Sequence, residues 1–498
     1  MVINSSSKLS NISSKNISIN GILQILNLIV ICLLFSATIS DKLNDHPYIN
    51  GYSILLAIIL CIQVFIFLLF EKKSSDPFIL LLAYLLILFF SFRIYTLLLF
   101  PIQDAFQRYN FTPKNTNYAL IYILIANIFL FSGFICKKEV IKKVTFDTEN
   151  QFYKVFNPLF GVIMFYVSLI FGNLIINLLP VGIFEIVAFF YNNFFSPNLI
   201  LLILSAYVIS YRHKLPVFYL NTVKIGAIIL LVMQTLSFSR SGLLTLFETI
   251  LIFTLAIKPN IKFKRKYVVK GFVFLPLVIF VAFALYSIST VSRQIKGEKG
   301  STIYEKIELF KESVDLLRDD PLTEFYIGQG LSRAGYFDYN SEIIANKKKY
   351  SNIFSWETYF KSIVDNILTP GFNIFDQPKL ANSLKYTDGD FGKISLQKEV
   401  AGDYGSDQFG LYGEMYASFG FFSLPILFLI AFYLKKLYIY KSNMSPFKNT
   451  IKNMLLVSFF YQFMNSFGLD WILASMLTTI TSFYMLSNFL FKLKLTTK

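Results

Sequence analysis

Charge is scarce in this chain. Only 15% of its 498 residues are Asp, Glu, Lys or Arg, against roughly 25% in an ordinary globular domain. Acids are the scarcer sign, 30 against 46 bases. Cysteine is rarer still: Cys32, Cys61 and Cys136 all lie in or beside apolar blocks, which argues against a disulfide framework. His46 and His213 are far apart in different loops, so a histidine-based metal site is not expected. No internal repeat and no low-complexity tract interrupts the sequence. The N-terminal 20 residues are polar and Ser/Asn-rich, and no small-residue cleavage site follows the first apolar block, so no removable signal peptide is expected.

What fills the chain instead is apolar sequence. Hydrophobic residues make up 55% of it and the mean hydropathy is +0.57. They fall in long blocks, and a block of about 20 helical residues crosses a bilayer's ~30 Å hydrocarbon layer. The expected fold is therefore an all-α polytopic membrane protein with about 12 transmembrane helices. The spans are expected near 21–40, 52–70, 78–100, 117–136, 155–179, 197–211, 223–238, 242–257, 271–290, 418–434, 451–468 and 471–491.

Topology follows from where the bases sit. The segment 258–270 holds six Lys/Arg and no acid, and 435–452 holds five Lys and no acid. The stretch 137–143 and the tail 492–498 are also cationic. The positive-inside rule places all four in the cytoplasm. The net charge of +16 is then a property of cytoplasmic loops and not a sign of nucleic-acid binding. Residues 1–20 and 492–498 become cytoplasmic tails. Spans one to nine occupy 21–290 and spans ten to twelve 409–491. Between them a loop, 291–408, is expected outside the membrane; it carries 15 bases and 18 acids in 118 residues. Within it, Ile303, Ile307, Phe310, Val314 and Leu317 recur at helical spacing, predicting a short amphipathic helix over 301–318. A second outer segment, 180–196, is aromatic and nearly uncharged, fit for the membrane interface.

A few charged residues stand at or inside the apolar blocks. Arg240, in Ser239-Arg240-Ser241-Gly242, sits between spans seven and eight at the expected outer face. Its guanidinium fork suits phosphate oxygens, and the helix that follows offers amide donors; the alternative is an arginine snorkelling to lipid headgroups. Arg93 lies within span three, where a lipid-facing charge is expensive, so it should face the bundle interior. It either contacts a phosphate or glycan or pairs with a buried acid such as Glu248. Arg293, Arg318 and Arg333 lie in the long loop, Arg293 nearest the membrane. Gly328-Gln329-Gly330 follows no strong strand signal and precedes no clear helix, which argues against a dinucleotide loop. Asp403, Asp407 and Glu414 lie in a Gly-rich stretch leading into span ten, and Asp470 lies on the same side. A carboxylate there could serve as general base on a sugar hydroxyl, or as a helix cap or ion-pair partner.

Taken together, these features resemble the O-antigen and capsule repeat-unit polymerases (Wzy-type), within the O-antigen polymerase/ligase superfamily. The likeness rests on about twelve spans with a long outer loop late in the chain, and on the Ser-Arg-Ser-Gly turn before a span. Asp320-Pro321 leading to Gly328-Gln329-Gly330, and Phe409-Gly410-Leu411-Tyr412-Gly413-Glu414 running on to Phe419-Gly420, are similar to stretches of that group. The resemblance implies a bacterial inner-membrane glycosyltransferase that moves a growing chain onto a new undecaprenyl-pyrophosphate-linked oligosaccharide. It implies no metal and no cofactor, and a chain-length regulator and a flippase as partners. Arg240, Glu414 and Asp407 would then be catalytic, and Arg93, Arg240, Arg293, Arg318 and Arg333 would bind pyrophosphate or glycan. O-antigen ligases share the architecture, but the resemblance to them implies a histidine in the long loop, which this loop lacks. A flippase or other transporter is the competing class; it usually shows two similar halves, absent here.

The topology is testable by single-cysteine labelling in a cysteine-free background. A cysteine within 291–408 is expected to react with a membrane-impermeant maleimide on intact spheroplasts. One within 258–270 should react only after lysis. The reverse pattern would invert the molecule.

Overall fold

The computed structural model describes residues 16–44, 46–70, 76–99, 112–136, 158–172, 195–236, 251–257, 261–274, 308–315, 336–345, 347–350, 410–440 and 446–465, with isolated positions at 187, 191, 288, 357, 360, 361, 364, 375, 480 and 481. Among these residues the fold is helical apart from one short antiparallel pair, β1 (Asn16–Ser18) with β2 (Lys262–Lys264). Five helical stretches are long and apolar enough to cross a membrane: Ile19–Thr38, Gly51–Phe70, Pro77–Leu98, Pro113–Ile135 and Leu411–Ile439. This is the architecture of a membrane protein.

Helix α1 (Ile19–Thr38) begins at the cap of Ser18, whose hydroxyl accepts from the Gly21 amide. The end of the bundle where α1 starts is termed proximal here, and the end where it finishes distal. Helix α2 (Gly51–Phe70) returns to the proximal end and is zipped to α1 by two amides. Asn20 donates to the Leu68 carbonyl at 2.9 Å and Asn27 to the Cys61 carbonyl at 2.8 Å. The chain then rises through α3 (Pro77–Leu85), a π-helical turn (Leu86–Ser91) and α4 (Phe92–Leu99). This span lies at the centre of the bundle: every residue from Phe78 to Ala83 is fully buried. Its wall-to-wall apolar sequence is what a span shielded from both lipid and water requires. Helix α5 (Pro113–Ile135) descends again, capped by Thr112 with Pro at its first turn.

Helices α6 (Pro158–Ile170), α7 (Pro197–Ser210) and α8 (Val217–Leu236) form a second group. Tyr191 and Phe195, within the aromatic segment 180–196, fold back on the end of α6: the Tyr191 hydroxyl donates to the Ser168 carbonyl at 2.9 Å. From the long inter-span segment come α9 (Tyr336–Ala345) and α10 (Lys347–Tyr350). Helix α11 (Leu411–Phe419) is followed by a 3-10 turn (Gly420–Phe422), α12 (Ser423–Ile439) and α13 (Pro446–Asn465). Gly420 sits at φ 59°, a left-handed conformation that Gly adopts without penalty, and this breaks α11 from α12.

Two expectations are revised. The tenth span was expected over 418–434; α12 runs five residues later, because Gly420 ends α11 and the apolar sequence restarts at Ser423. Of the Gly-rich stretch before it, the described residues run from Gly410 into helix α11, where burial of Leu411, Tyr412 and Met415 outweighs the low helix propensity of Gly413. In the 301–318 segment the described turns, 308–315, bury Leu309 and Ser313, while Val314 is exposed. The inward face is thus one residue away from the expected stripe, and the Ser313 hydroxyl is accommodated by donating to the Leu309 carbonyl at 2.6 Å. Spans expected over 242–257, 271–290 and 471–491 lie mostly outside the described residues.

The described parts of two cationic segments, 258–270 and 435–452, gather at the proximal end. β2, with Lys262 and Lys264, pairs with β1 at the start of α1. Lys435 on α12 forms an ion pair with Asp76, the cap of α3, with side-chain exposures of 6% and 0%. The other Asp76 oxygen accepts from the Phe78 amide at 2.8 Å. Lys452 on α13 donates to the carbonyls of Tyr438 and Tyr440, at 3.1 and 2.6 Å, closing the end of α12.

A pair this deeply buried repays the desolvation of its two charges only while both are present. Lys435→Met is therefore expected to destabilise the bundle by about 3–5 kcal/mol, since it strands a buried carboxylate. The double substitution with Asp76→Asn should recover most of that loss, because the Asn side chain still caps α3. Thermal unfolding of the purified variants in detergent measures both; equal destabilisation of single and double variants would show that the pair is not coupled.

Candidate functional site at the distal end

The distal half of the bundle holds a polar and aromatic layer built by four elements. The π-helical turn carries Phe90, and two residues after that turn ends α4 carries Arg93. Helix α5 supplies Tyr118, Tyr122 and Asn127. Helix α11 supplies Tyr412, Glu414 and Tyr416. Helix α9, from the segment expected as an outer loop, packs against α5, α11 and the π turn together. Its Phe337, Asn340, Ser341, Ile343 and Ile344 are all buried. At least this part of the long segment is therefore a structural member of the bundle.

Arg93 is 2% exposed, as its position in a span demands. One guanidinium nitrogen donates to the Thr96 hydroxyl at 3.3 Å, and that hydroxyl donates to the Arg93 carbonyl at 3.0 Å. A π turn widens the helix by one residue and often marks a functional position. Here it rotates the remainder of the span, and so Arg93, relative to the all-apolar α3.

Glu414 is 4% exposed and lies in the first turn of α11, where the helix dipole favours a negative charge. The helices bearing Arg93 and Glu414 are joined by aromatic packing. Phe90 meets Tyr412 edge-on at 5.6 Å between ring centres and Phe337 of α9 at 6.2 Å. The Tyr412 hydroxyl donates to Asn127 on α5, whose amide nitrogen donates to Gln63 on α2 at 3.4 Å. Asn340 of α9 accepts from the Gly413 amide at 2.6 Å. Gly413 permits this approach: a β-carbon there would stand 3.1 Å from the Asn340 Cα and 3.2 Å from the Ile343 Cβ.

Nearer the distal surface, the Tyr118 and Tyr416 hydroxyls hydrogen-bond to each other, and Tyr122 meets Ser423 at 2.6 Å. Lys347 of α10 places its ammonium 5.6 Å from the centre of the Tyr416 ring. The loop before α2 is fastened to the top of α4 by His46, whose Nε2 lies 3.1 Å from the Leu97 carbonyl. Its Nδ1 accepts from the Tyr48 and Ile49 amides, both at 3.3 Å. That geometry fixes the neutral tautomer with the proton on Nε2. Burial holds the ring's proton affinity below its ordinary value of 6.5, and the Leu97 carbonyl offsets this in part.

Of the site residues expected from sequence, the structure thus places Arg93 and Glu414 in one half of the bundle on helices sharing an aromatic seam. Arg240, Arg293, Arg318, Arg333, Asp403, Asp407, Asp470 and Glu248 lie outside the described residues. Among the described residues no cluster of three or more His, Cys, Asp or Glu could hold a metal ion. Sequence reasoning missed Tyr412, Asn340, Asn127 and Tyr416. The signal available was Gly410 and Gly413 flanking aromatics, a spacing that clears one helix face for a close neighbour. No family model, curated protein or solved structure matches the chain.

His46 generates a pH prediction. In the unfolded chain it takes up a proton near 6.5, whereas the folded ring resists protonation. Below that pH the unfolded state binds more protons, so stability falls as pH drops, and is constant above it with respect to this group. The melting temperature in detergent should decline between pH 7 and 5.5. His46→Gln, which cannot titrate, should remove its share of that slope; an unchanged slope would show that His46 does not contribute to it.

Proposed function

We propose that this protein is a polymerase of undecaprenyl-pyrophosphate-linked oligosaccharide repeat units, acting in a bacterial inner membrane with its distal end facing outward. The observation that carries the reading is the burial of an arginine and a carboxylate, Arg93 and Glu414, in the distal half of an apolar bundle. Glu414 stands on a helix packed by α9 from the long inter-span segment, and α9 also touches the π turn that precedes Arg93. The gathering of Lys262, Lys264, Lys435 and Lys452 at the proximal end agrees with that orientation.

The chemistry asks little beyond these residue types. The acceptor sugar hydroxyl attacks the anomeric carbon of the donor chain. The bond from that carbon to the pyrophosphate oxygen breaks, and the lipid pyrophosphate leaves with an added negative charge. A guanidinium held in a water-poor site stabilises the growing charge far more than it would in water. Arg93 takes this role in the proposal, with Arg240 and Arg293 as further contacts to pyrophosphate, and Arg318 and Arg333 as contacts to glycan. Glu414, with Asp407 as the alternative, accepts the proton from the acceptor hydroxyl. Tyr118, 41% exposed, and Phe421, 58% exposed, offer aromatic faces for sugars at the distal surface.

The buried Asp76–Lys435 pair favours a second reading, since ionisable pairs within membrane spans also serve transport pathways. A deletion strain separates the two. Loss of a polymerase leaves single repeat units on the outer face, whereas loss of a flippase traps them in the cytoplasm.

Arg93→Ala is expected to reduce polymer formation by about 10²–10³-fold, and Glu414→Gln by about 10²–10⁴-fold. The assay is purified protein in proteoliposomes supplied with lipid-pyrophosphate-linked repeat units, products being resolved as a ladder on a gel. Both variants should insert at wild-type level. Full-length ladders from both would remove these residues from the chemistry, and an absence of ladder from the wild type would remove the polymerase reading itself.

A further inference from the structure

A groove of about 440 Å³ lies at the proximal end, apart from the distal layer. Ile17 of β1 and Ile25 of α1 form one wall; Val268, Val269 and Phe272 of the helical stretch 265–274 form the other, with Arg265 in the lining. The β1–β2 pair holds the two walls together, with Ile17 opposite Phe263 and Ser18 opposite Lys262. The lining is apolar except for Arg265. Ile25 is 36% and Val269 53% exposed, so the groove is open at the protein surface.

Its surroundings are cationic without relief. Lys262, Lys264, Arg265, Lys266 and Lys270 are all exposed, and the whole segment 258–270 contains no acid. The Lys266 ammonium stands 5.2 Å from the Tyr267 ring centre, and Tyr267 is itself 57% exposed. The groove also lies at a defined depth. Ser18 caps α1, a span of 20 residues, so Ile17 and Ile25 bracket the level at which hydrocarbon gives way to headgroups.

A soluble anion would use the cations and leave the apolar walls unfilled. A neutral lipid would fill the walls and leave the cations uncompensated. An exposed apolar groove with a basic rim, at the boundary of a membrane span, matches a ligand with an anionic head and a hydrocarbon tail. We infer that this groove binds an anionic phospholipid of the proximal leaflet, its phosphate on Arg265 and an acyl chain between α1 and the 265–274 stretch. The site is separate from the proposed transferase chemistry and stands whether or not that reading does.

The test uses the full-length protein in phosphatidylcholine nanodiscs doped with phosphatidylglycerol, with lipids retained after detergent release counted by native mass spectrometry. Wild type is expected to retain phosphatidylglycerol in preference to phosphatidylcholine. Arg265→Gln should weaken that retention about fivefold, the effect of one cation near an anionic surface. Val269→Trp, which fills the groove and leaves every charge in place, should lower retention as well. Because both positions are exposed, both variants should melt with the wild type. Equal retention of the two lipids by wild type, or wild-type retention by both variants, would overturn the inference. So would release of phosphatidylglycerol by excess inorganic phosphate, which would mark a site for the free anion.

Discussion

A polar side chain that enters an apolar bundle has to find a partner there, because an unpaired polar group in such surroundings costs several kcal/mol. Much of this molecule's arrangement follows from that constraint. Asn20 and Asn27 fix the register of α1 on α2 by reaching backbone carbonyls. Gln63, Asn127 and Tyr412 form a chain that ties α2, α5 and α11 at one level. Asp76 and Lys435 meet at the proximal end and set how α12 sits against the central span. Each link joins helices distant in sequence, so the apolar helices, which could slide past one another, are held in one alignment.

The same constraint explains why α9 belongs to the bundle. Its Asn340 satisfies the Gly413 amide in the first turn of α11, a donor that no earlier residue of that helix can engage. Phe337 meanwhile fills the space beside Phe90. A segment between spans thereby packs against the π turn that precedes Arg93 and against the helix that carries Glu414. The π turn adds a local irregularity to a span that is otherwise uniform, and it does so immediately before the one buried arginine among the described residues.

The two ends of the bundle differ in chemistry. The distal half is aromatic and hydrogen-bonded, with Arg93 and Glu414 buried in it. The proximal end is cationic, with an open apolar groove between β1, α1 and the stretch after β2. In a single chain this division follows from the alternation of spans: each returning helix delivers its loop to one end or the other, and the described parts of the basic segments 258–270 and 435–452 fall together.

The sequence by itself determined that the chain is a helical membrane protein, and located its first four spans to within a few residues. Apolar blocks of span length have no other stable arrangement in lipid, and capping pairs such as Asp76-Pro77 and Thr112-Pro113 mark where helices begin. It also singled out Arg93 and Glu414, because a charge in or beside an apolar block is rare enough to be conspicuous. Only the tertiary structure decided that Tyr412 reaches Asn127, that Asn340 meets the Gly413 amide next to the second of these, and that Asp76 answers Lys435. Those depend on which faces meet across 73 to 359 residues of sequence. In helices that are apolar on every side, periodicity does not reveal which face turns inward, and the partner of each polar group becomes visible only when the helices are packed.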